Sequence, residues 1–193
     1  VSGYLVRGED DVLNELDENA VQEAVNLAGG DGEVIVITMG PEDAVDGLRR
    51  ALALGATSAV HVCDDRAAGS DVLGTARVLA ATINRIQEDG PIDLVVTGMA
   101  ALDGMTATIP SALAAHFDIP ALTMAKNVEL DGTTLRVHRT MGIHDEVVEA
   151  DLPAILSVTD QANEVQYPNF KAIMAAKKKQ SVELNLDDLG LAG

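Results

Sequence analysis

The stretch 93–111, reading DLVVTGMAALDGMTATIPS, constrains this chain more than any other. An apolar, β-branched run ending at Val96 passes through Thr97-Gly98 into a loop of small residues, and Pro110 then opens a segment with helical rhythm. Proline is tolerated in a first helical turn because the N–H it lacks has no internal acceptor there. A strand that runs through a glycine turn into a helix N-terminus leaves several N–H groups unpaired, which is where a phosphate or other anion sits in many α/β proteins. The same residues have a plainer reading, in which Gly98 and Gly104 only turn the chain and small side chains let a helix pack closely. Neither the GxGxxG nor the GxxxxGK[ST] spacing is present, so no dinucleotide fingerprint or P-loop applies.

The rest of the chain alternates around this unit. Residues 34–38, 59–62, 92–96 and 154–158 read as strands, and 34–38 is a continuous apolar run, the pattern of a strand covered on both faces in a parallel sheet. Between them lie helical periods. In the first, Asp17 is expected to cap, Ala20, Val21, Ala24, Val25 and Ala28 to face inward, and Gly29-Gly30 to stop the helix. The second covers 42–54 with Val45, Leu48, Ala51 and Leu52 inward, and Gly55 ends it. The third runs from a Ser70 cap to Glu88 with Leu73, Ala76, Ala80 and Ile83 inward. After Ile119 the rhythm changes: 126–130 and 134–139, split by Asp131-Gly132, read as a hairpin, with 147–150 as a further strand. A short helix over 169–176 ends at Lys177-Lys178-Lys179, and the tail 181–193 is expected to lie on a partner or in solvent. The opening residues, with acids at Glu9, Asp10 and Asp11, carry little pattern. The expected fold class is α/β: a three-layer parallel sheet with a small antiparallel insertion and a C-terminal extension. The expected division is an α/β unit over 1–160, with its insertion at about 124–150, followed by a docking loop, short helix and arm over 161–193.

Charge narrows the function. The 31 acidic residues against 13 Lys and Arg give −18, a field that repels nucleic acid phosphates and anionic membranes and suits solubility in concentrated salt. No nucleic acid partner is expected. No apolar run approaches the roughly 20 residues of a span, so no membrane insertion and a cytoplasmic, halophilic protein are expected. One cysteine, Cys63, excludes an internal disulfide framework and reads as a half-buried strand-end residue. His61, His116, His138 and His144 have no metal-ligand spacing, and no GxSxG elbow or acid/base pair assembles a catalytic constellation. Asp103, in the loop beside the helix start, can bind backbone N–H groups, position a ribose hydroxyl or shape a turn.

Five segments, in order, carry a resemblance: 14–24 (NELDENAVQEA), 50–56 (RALALGA), 97–104 (TGMAALDG), 163–167 (NEVQY) and 173–179 (IMAAKKK). The chain resembles the β subunit of electron transfer flavoproteins and their FixA-type relatives, in a haloarchaeal-like version, over almost its whole length.

That resemblance implies a heterodimer with an α subunit that holds most of the FAD, and AMP or a second FAD in this subunit. Electrons would pass from a dehydrogenase donor toward a quinone reductase acceptor. Flavin supplies the redox chemistry, which agrees with the absence of a catalytic constellation. The cofactor-binding positions implied here are Asn14, Leu16, Asp17, Met39, Gly98, Asp103, Gly104, Thr106 and Thr108. The fold implied is the adenine-nucleotide hydrolase type, whose first strand lies centrally; this chain begins after that strand, so some 20 to 35 further residues are expected ahead of it, judged from the family. Departures are specific. Glu15 replaces a proline, and in the anchor loop Ala100, Met105, Thr108 and Pro110 replace a glutamine, an aspartate, a second glutamine and a glycine. Arg139 is kept, while Thr140, Ile143 and His144 replace a glutamate and two glycines. Ala162 replaces the leucine of the loop used to dock dehydrogenases, which implies a different redox partner. Two other readings stay open: an adenine-nucleotide module of the universal-stress type, and a structural subunit that has lost its nucleotide.

Overall fold

A computed structural model describes residues 13–191; the acidic run Glu9–Asp11 and the last two residues lie outside them. The helices are α1 (Glu15–Ala28), α2 (Val45–Leu54), α3 (Val72–Gln87), α4 (Ile109–Phe117) and α5 (Phe170–Ala176). The strands are β1 (Ile35–Met39), β2 (Ser58–Val62), β3 (Leu94–Gly98), β4 (Ala121–Ala125), β5 (Asn127–Asp131), β6 (Thr134–Met141), β7 (His144–Asp151), β8 (Ala154–Val158) and β9 (Ser181–Leu184). They form two parallel sheets, β1-β2-β9 and β3-β8-β4, and one antiparallel meander, β5-β6-β7. The α/β class, the antiparallel insertion and the C-terminal extension are as expected. The parallel strands, however, fall into two sheets, and among the described residues no strand joins β1 to β3.

β8 explains why continuous apolar runs work here. It is central in its sheet, and all five residues are buried. Ile155 packs against Ala80, Ile83, Leu113 and Ala114 of α3 and α4. Ala154, Leu156 and Val158 face the other way, onto Ala20 of α1, Leu122, and Leu135 and Val137 of the meander. Ile37 of β1 and Val95 of β3 both pack on the α3–α4 cluster, so one layer of helix covers both parallel sheets. A third cluster ties α1, α2 and the end of α5 through Leu48, Leu52, Ala56 and Ala176. Lys179, past α5, donates from Nζ to the carbonyls of Leu52 (2.9 Å) and Ala56, and burial pushes its pKa down.

Several local expectations are corrected. Asn14, not Asp17, caps α1: its side chain accepts from Leu16 N–H at 3.1 Å, which frees Asp17 to reach another strand. Asp71, not Ser70, caps α3, accepting from Gly74 N–H at 2.7 Å; Ser70 donates back to Ala67 O. Leu73 points outward and is 67% exposed, because with Asp71 as cap it falls at N2, off the stripe of Ala76, Ala80 and Ile83. Residues 121–125 pair with β8 in the parallel sheet, and the antiparallel strands start at Asn127. The tail does not hang free. Ser181, Val182, Glu183 and Leu184 pair in parallel with β2, whose open edge supplies hydrogen-bond partners to a segment too exposed for its hydropathy to announce a strand.

Candidate functional site

The carboxyl end of β3 and the N-terminus of α1 meet. Gly98 is buried, and its N–H donates to Asp17 Oδ1 at 3.3 Å, while Asn14 Nδ2 donates to Ala100 O at 3.2 Å. A Cβ at Gly98 would stand 2.7 Å from both Leu16 O and Asp17 Oδ1, closer than real contacts allow. The glycine is therefore required for α1 to seat on β3. Burial pushes the Asp17 carboxyl above the ordinary range; the Gly98 N–H and the Asn14 side chain pull it back, and the Asp103 charge adds to the rise.

The loop 99–108 leaves this floor and is exposed from Ala101 to Thr108. Asp103 accepts from Gly104 N–H at 2.7 Å, and Thr108 Oγ1 donates to Thr106 O at 2.9 Å. Met105 (φ 49°) and Ala107 (φ 51°) both hold left-handed backbone, a strain of order 1–3 kcal/mol each for residues with a side chain, and such strain concentrates at ligand sites. The loop ends on α4, whose N-cap Thr108 makes no side-chain capping bond. The N–H groups of its first turn are thus open to an external acceptor, except at Pro110, which has none.

The structure brings Asn14, Leu16, Asp17 and Gly98 into contact and sets Asp103 within electrostatic reach of Asp17. Gly104, Thr106 and Thr108 are strung along the same loop. Met39 ends β1 in the other parallel sheet, opposite Val62, away from that contact set. A crevice at the carboxyl ends of parallel strands, beside a helix start, is where α/β sheets take ligands. Its chemistry is divided. Two carboxylates suit hydroxyl donors such as those of a ribose, and an uncapped helix N-terminus suits a phosphate.

A second polar assembly lay hidden behind the apolar stripe of α1. Asn163 donates from Nδ2 to Asn19 O (3.0 Å) and Glu23 Oε2 (2.7 Å), and Asn19 Nδ2 donates to Asn163 O (3.1 Å) and Oδ1 (3.2 Å). Gln22 Oε1 accepts from Gln166 N–H at 3.0 Å. Asn19, Gln22 and Glu23 are all buried, and burial raises the Glu23 carboxyl above its usual range against the Asn163 bond. Beside them Arg50 Nε donates to Glu18 at 2.7 Å and its guanidinium lies 5.4 Å from the Tyr167 ring centre. Segments 14–24, 50–56 and 163–167, far apart in sequence, are one contact network. The available signal was the i, i+3, i+4 spacing of Asn19, Gln22 and Glu23 on a helix otherwise read for apolar residues.

Other titratable groups serve the surface. Asp145 accepts from Lys126 Nζ at 2.8 Å, and Glu146 from Arg139 Nε at 2.9 Å, so the acids after His144 tie the meander together. Among the described residues no helix is long and apolar enough to cross a membrane.

Comparison with known proteins points one way. The family described as Electron transfer flavoprotein domain matches residues 3–189. The electron transfer flavoprotein subunit beta of Mycobacterium tuberculosis is 38% identical over 188 residues, covering 94% of this chain and 70% of that protein. The subunit of the same name from Thermoanaerobacterium thermosaccharolyticum is 36% identical over 192 residues, 98% of this chain and 72% of the relative. The caffeyl-CoA reductase-Etf complex subunit CarD of Acetobacterium woodii is 34% identical over 194 residues, 99% and 73%.

Proposed function

This chain belongs to the electron transfer flavoprotein family, and on that premise we propose that it is the β subunit of a heterodimer whose α subunit carries FAD. The observation that carries the reading is the network joining Asn19, Gln22 and Glu23 to Asn163 and Gln166: it locks together the segments on which the family likeness rests. An apolar surface beside that network supports a protein partner. Tyr167 (89% exposed), Phe170 (78%), Ile173 and Met174 stand out of the loop and α5, too many large apolar groups in one place for a surface that stays in water. Ala162 packs partly buried on the core, so it offers no large anchor, in line with a redox partner other than the family's usual dehydrogenases.

The residue types at this end of β3 support a nucleotide as the ligand. Asp17 and Asp103 would accept from ribose hydroxyls, and Thr106, Thr108 and the first turn of α4 would meet phosphate, with Gly104 leaving open space beside them. Bound there, AMP would act as a structural group and a second FAD would supply a further redox centre. Gly98 would serve the site by seating α1, which fills the room its missing side chain provides. Among the described residues β1 and β3 share no strand neighbour although both pack on the α3–α4 cluster, an arrangement that leaves room for the central strand the family resemblance implies. Electrons would run from a dehydrogenase toward a quinone reductase, in a cytoplasm whose salt the −18 charge would suit.

Co-expression with an α-type companion, followed by release and identification of bound nucleotides, tests the reading. One FAD with AMP, or two FAD, supports a nucleotide in the crevice; one FAD alone leaves the heterodimer standing and removes the nucleotide. If the two chains neither associate nor pass electrons from any dehydrogenase to an acceptor, the proposal fails.

A further inference from the structure

His61 and Cys63 are two residues apart on and just beyond β2, so they share a face, and the parallel pairing sets Glu183 of β9 opposite His61. His61 Nδ1, Cys63 Sγ and the Glu183 carboxylate lie within 4.8 Å of one another. His61 is only 2% exposed and is held by a bond between its Nε2 and Gly40 O at 3.1 Å. A carbonyl only accepts, so in the neutral ring the proton sits on Nε2 and the lone pair on Nδ1. That lone pair faces Glu183 Oε2 at 3.9 Å, beyond hydrogen-bond reach, with two acceptors turned toward each other. An imidazole lone pair, a thiol and a carboxylate facing one spot are relieved together by a cation.

We propose that His61, Cys63 and Glu183 form a three-ligand site for a divalent cation of the zinc class, tying β9 to β2. The donor set decides the class: imidazole nitrogen, sulfur and one carboxylate suit zinc or cobalt, whereas magnesium and calcium demand oxygen. Metal–ligand lengths near 2.0–2.3 Å place tetrahedral donors roughly 3.3–3.7 Å apart. The 3.9 Å between His61 and Glu183 is slightly long, and Glu183, its side chain 70% exposed, is free to close it. The Gly40 carbonyl that orients His61 is the kind of outer partner that fixes ligand imidazoles. On binding, the cation replaces the thiol proton, which leaves to solvent, and the fourth position stays open to water. No cysteine or histidine spacing announces such a site, because Glu183 arrives from the far end of the chain. The site is independent of the electron-transfer reading.

The probe is Co²⁺ added to the purified full chain, with Zn²⁺ as competitor. One equivalent is expected to bind with a thiolate-to-cobalt absorption in the near ultraviolet and tetrahedral visible bands, both abolished by Zn²⁺. Cys63→Ser removes the thiolate band; Glu183→Gln keeps it and weakens binding tenfold or more. Zn²⁺ raises the melting temperature of the parent chain but not of Cys63→Ser, which separates the site from diffuse binding to surface acids. The proposal is overturned if Co²⁺ binds without a thiolate band, if Cys63→Ser binds equally well, or if binding is no tighter than about 1 mM.

Discussion

Replacing Gly98 by alanine tests the seating of α1 on β3 directly. The added methyl would stand 2.7 Å from Leu16 O, 2.7 Å from Asp17 Oδ1 and 2.9 Å from Leu16 C. Two of those atoms are backbone, so no rotamer change relieves the overlap and the start of α1 has to move. Forcing a methyl into a closed space costs about 1–3 kcal/mol. The shift also breaks the Gly98 N–H bond to Asp17, worth about 1 kcal/mol. The expected loss is about 2–4 kcal/mol, a large part of the roughly 5–15 kcal/mol that holds a domain folded. For a chain of this size that lowers the melting temperature by about 4–16 °C. Urea unfolding followed by circular dichroism measures it, with Gly104→Ala as control: nothing lies within 4 Å of a Cβ there, and the change is expected to stay within about 0.5 kcal/mol. A Gly98→Ala chain as stable as the control would mean that α1 does not rest on β3, and the crevice would lose its floor.

Asn163→Ala strips the Glu23 carboxylate and the Asn19 carbonyl of their shared side-chain donor, while the Asn19 amide keeps the backbone carbonyl at 163; with unsatisfied buried groups costing about 1–3 kcal/mol each it should destabilise by about 2–4 kcal/mol; a urea midpoint unchanged from the parent would dissolve the network's claimed role. The pH dependence follows from Asp17 and Glu23, whose carboxyls hold protons more tightly folded than unfolded. Their contribution to stability is complete below the ordinary carboxylate range and is lost as pH rises through the raised values. Asp17→Asn keeps an acceptor for Gly98 but removes the charge, so its stability relative to the parent should grow as pH rises from the ordinary carboxylate range toward neutrality; a difference constant with pH would refute the assignment for Asp17.

The fold was legible where one physical pattern dominated. β8 announced itself because both its faces are covered, and α2 because Leu48, Ala51 and Leu52 form one stripe ended by Gly55, whose φ of 129° suits glycine. β9 was not legible, since a strand added to an edge with its side chains in solvent draws its stability from backbone bonds that no hydropathy pattern records. The caps slipped for a related reason: Asn14 against Asp17, and Asp71 against Ser70, are chemically equivalent candidates, and backbone geometry chose between them. In the site, strand, glycine turn and helix start were readable from 93–111 alone. That Gly98 serves α1 was not, because its neighbour Leu16 comes from a distant part of the chain.

The pairing of β9 with β2 bears on how the polypeptide is made. Ser181 aligns with Ala59, so β2 waits for a partner that follows it only after a long intervening stretch of chain. Until then β2 has one open side, and β1 is its sole sheet neighbour among the described residues. Closing so long a loop is entropically slow, and unpaired edges invite association between nascent chains. Cutting the chain before Ser181 should therefore show itself first as poor yield and aggregation during synthesis, with α1 and β3 still able to meet.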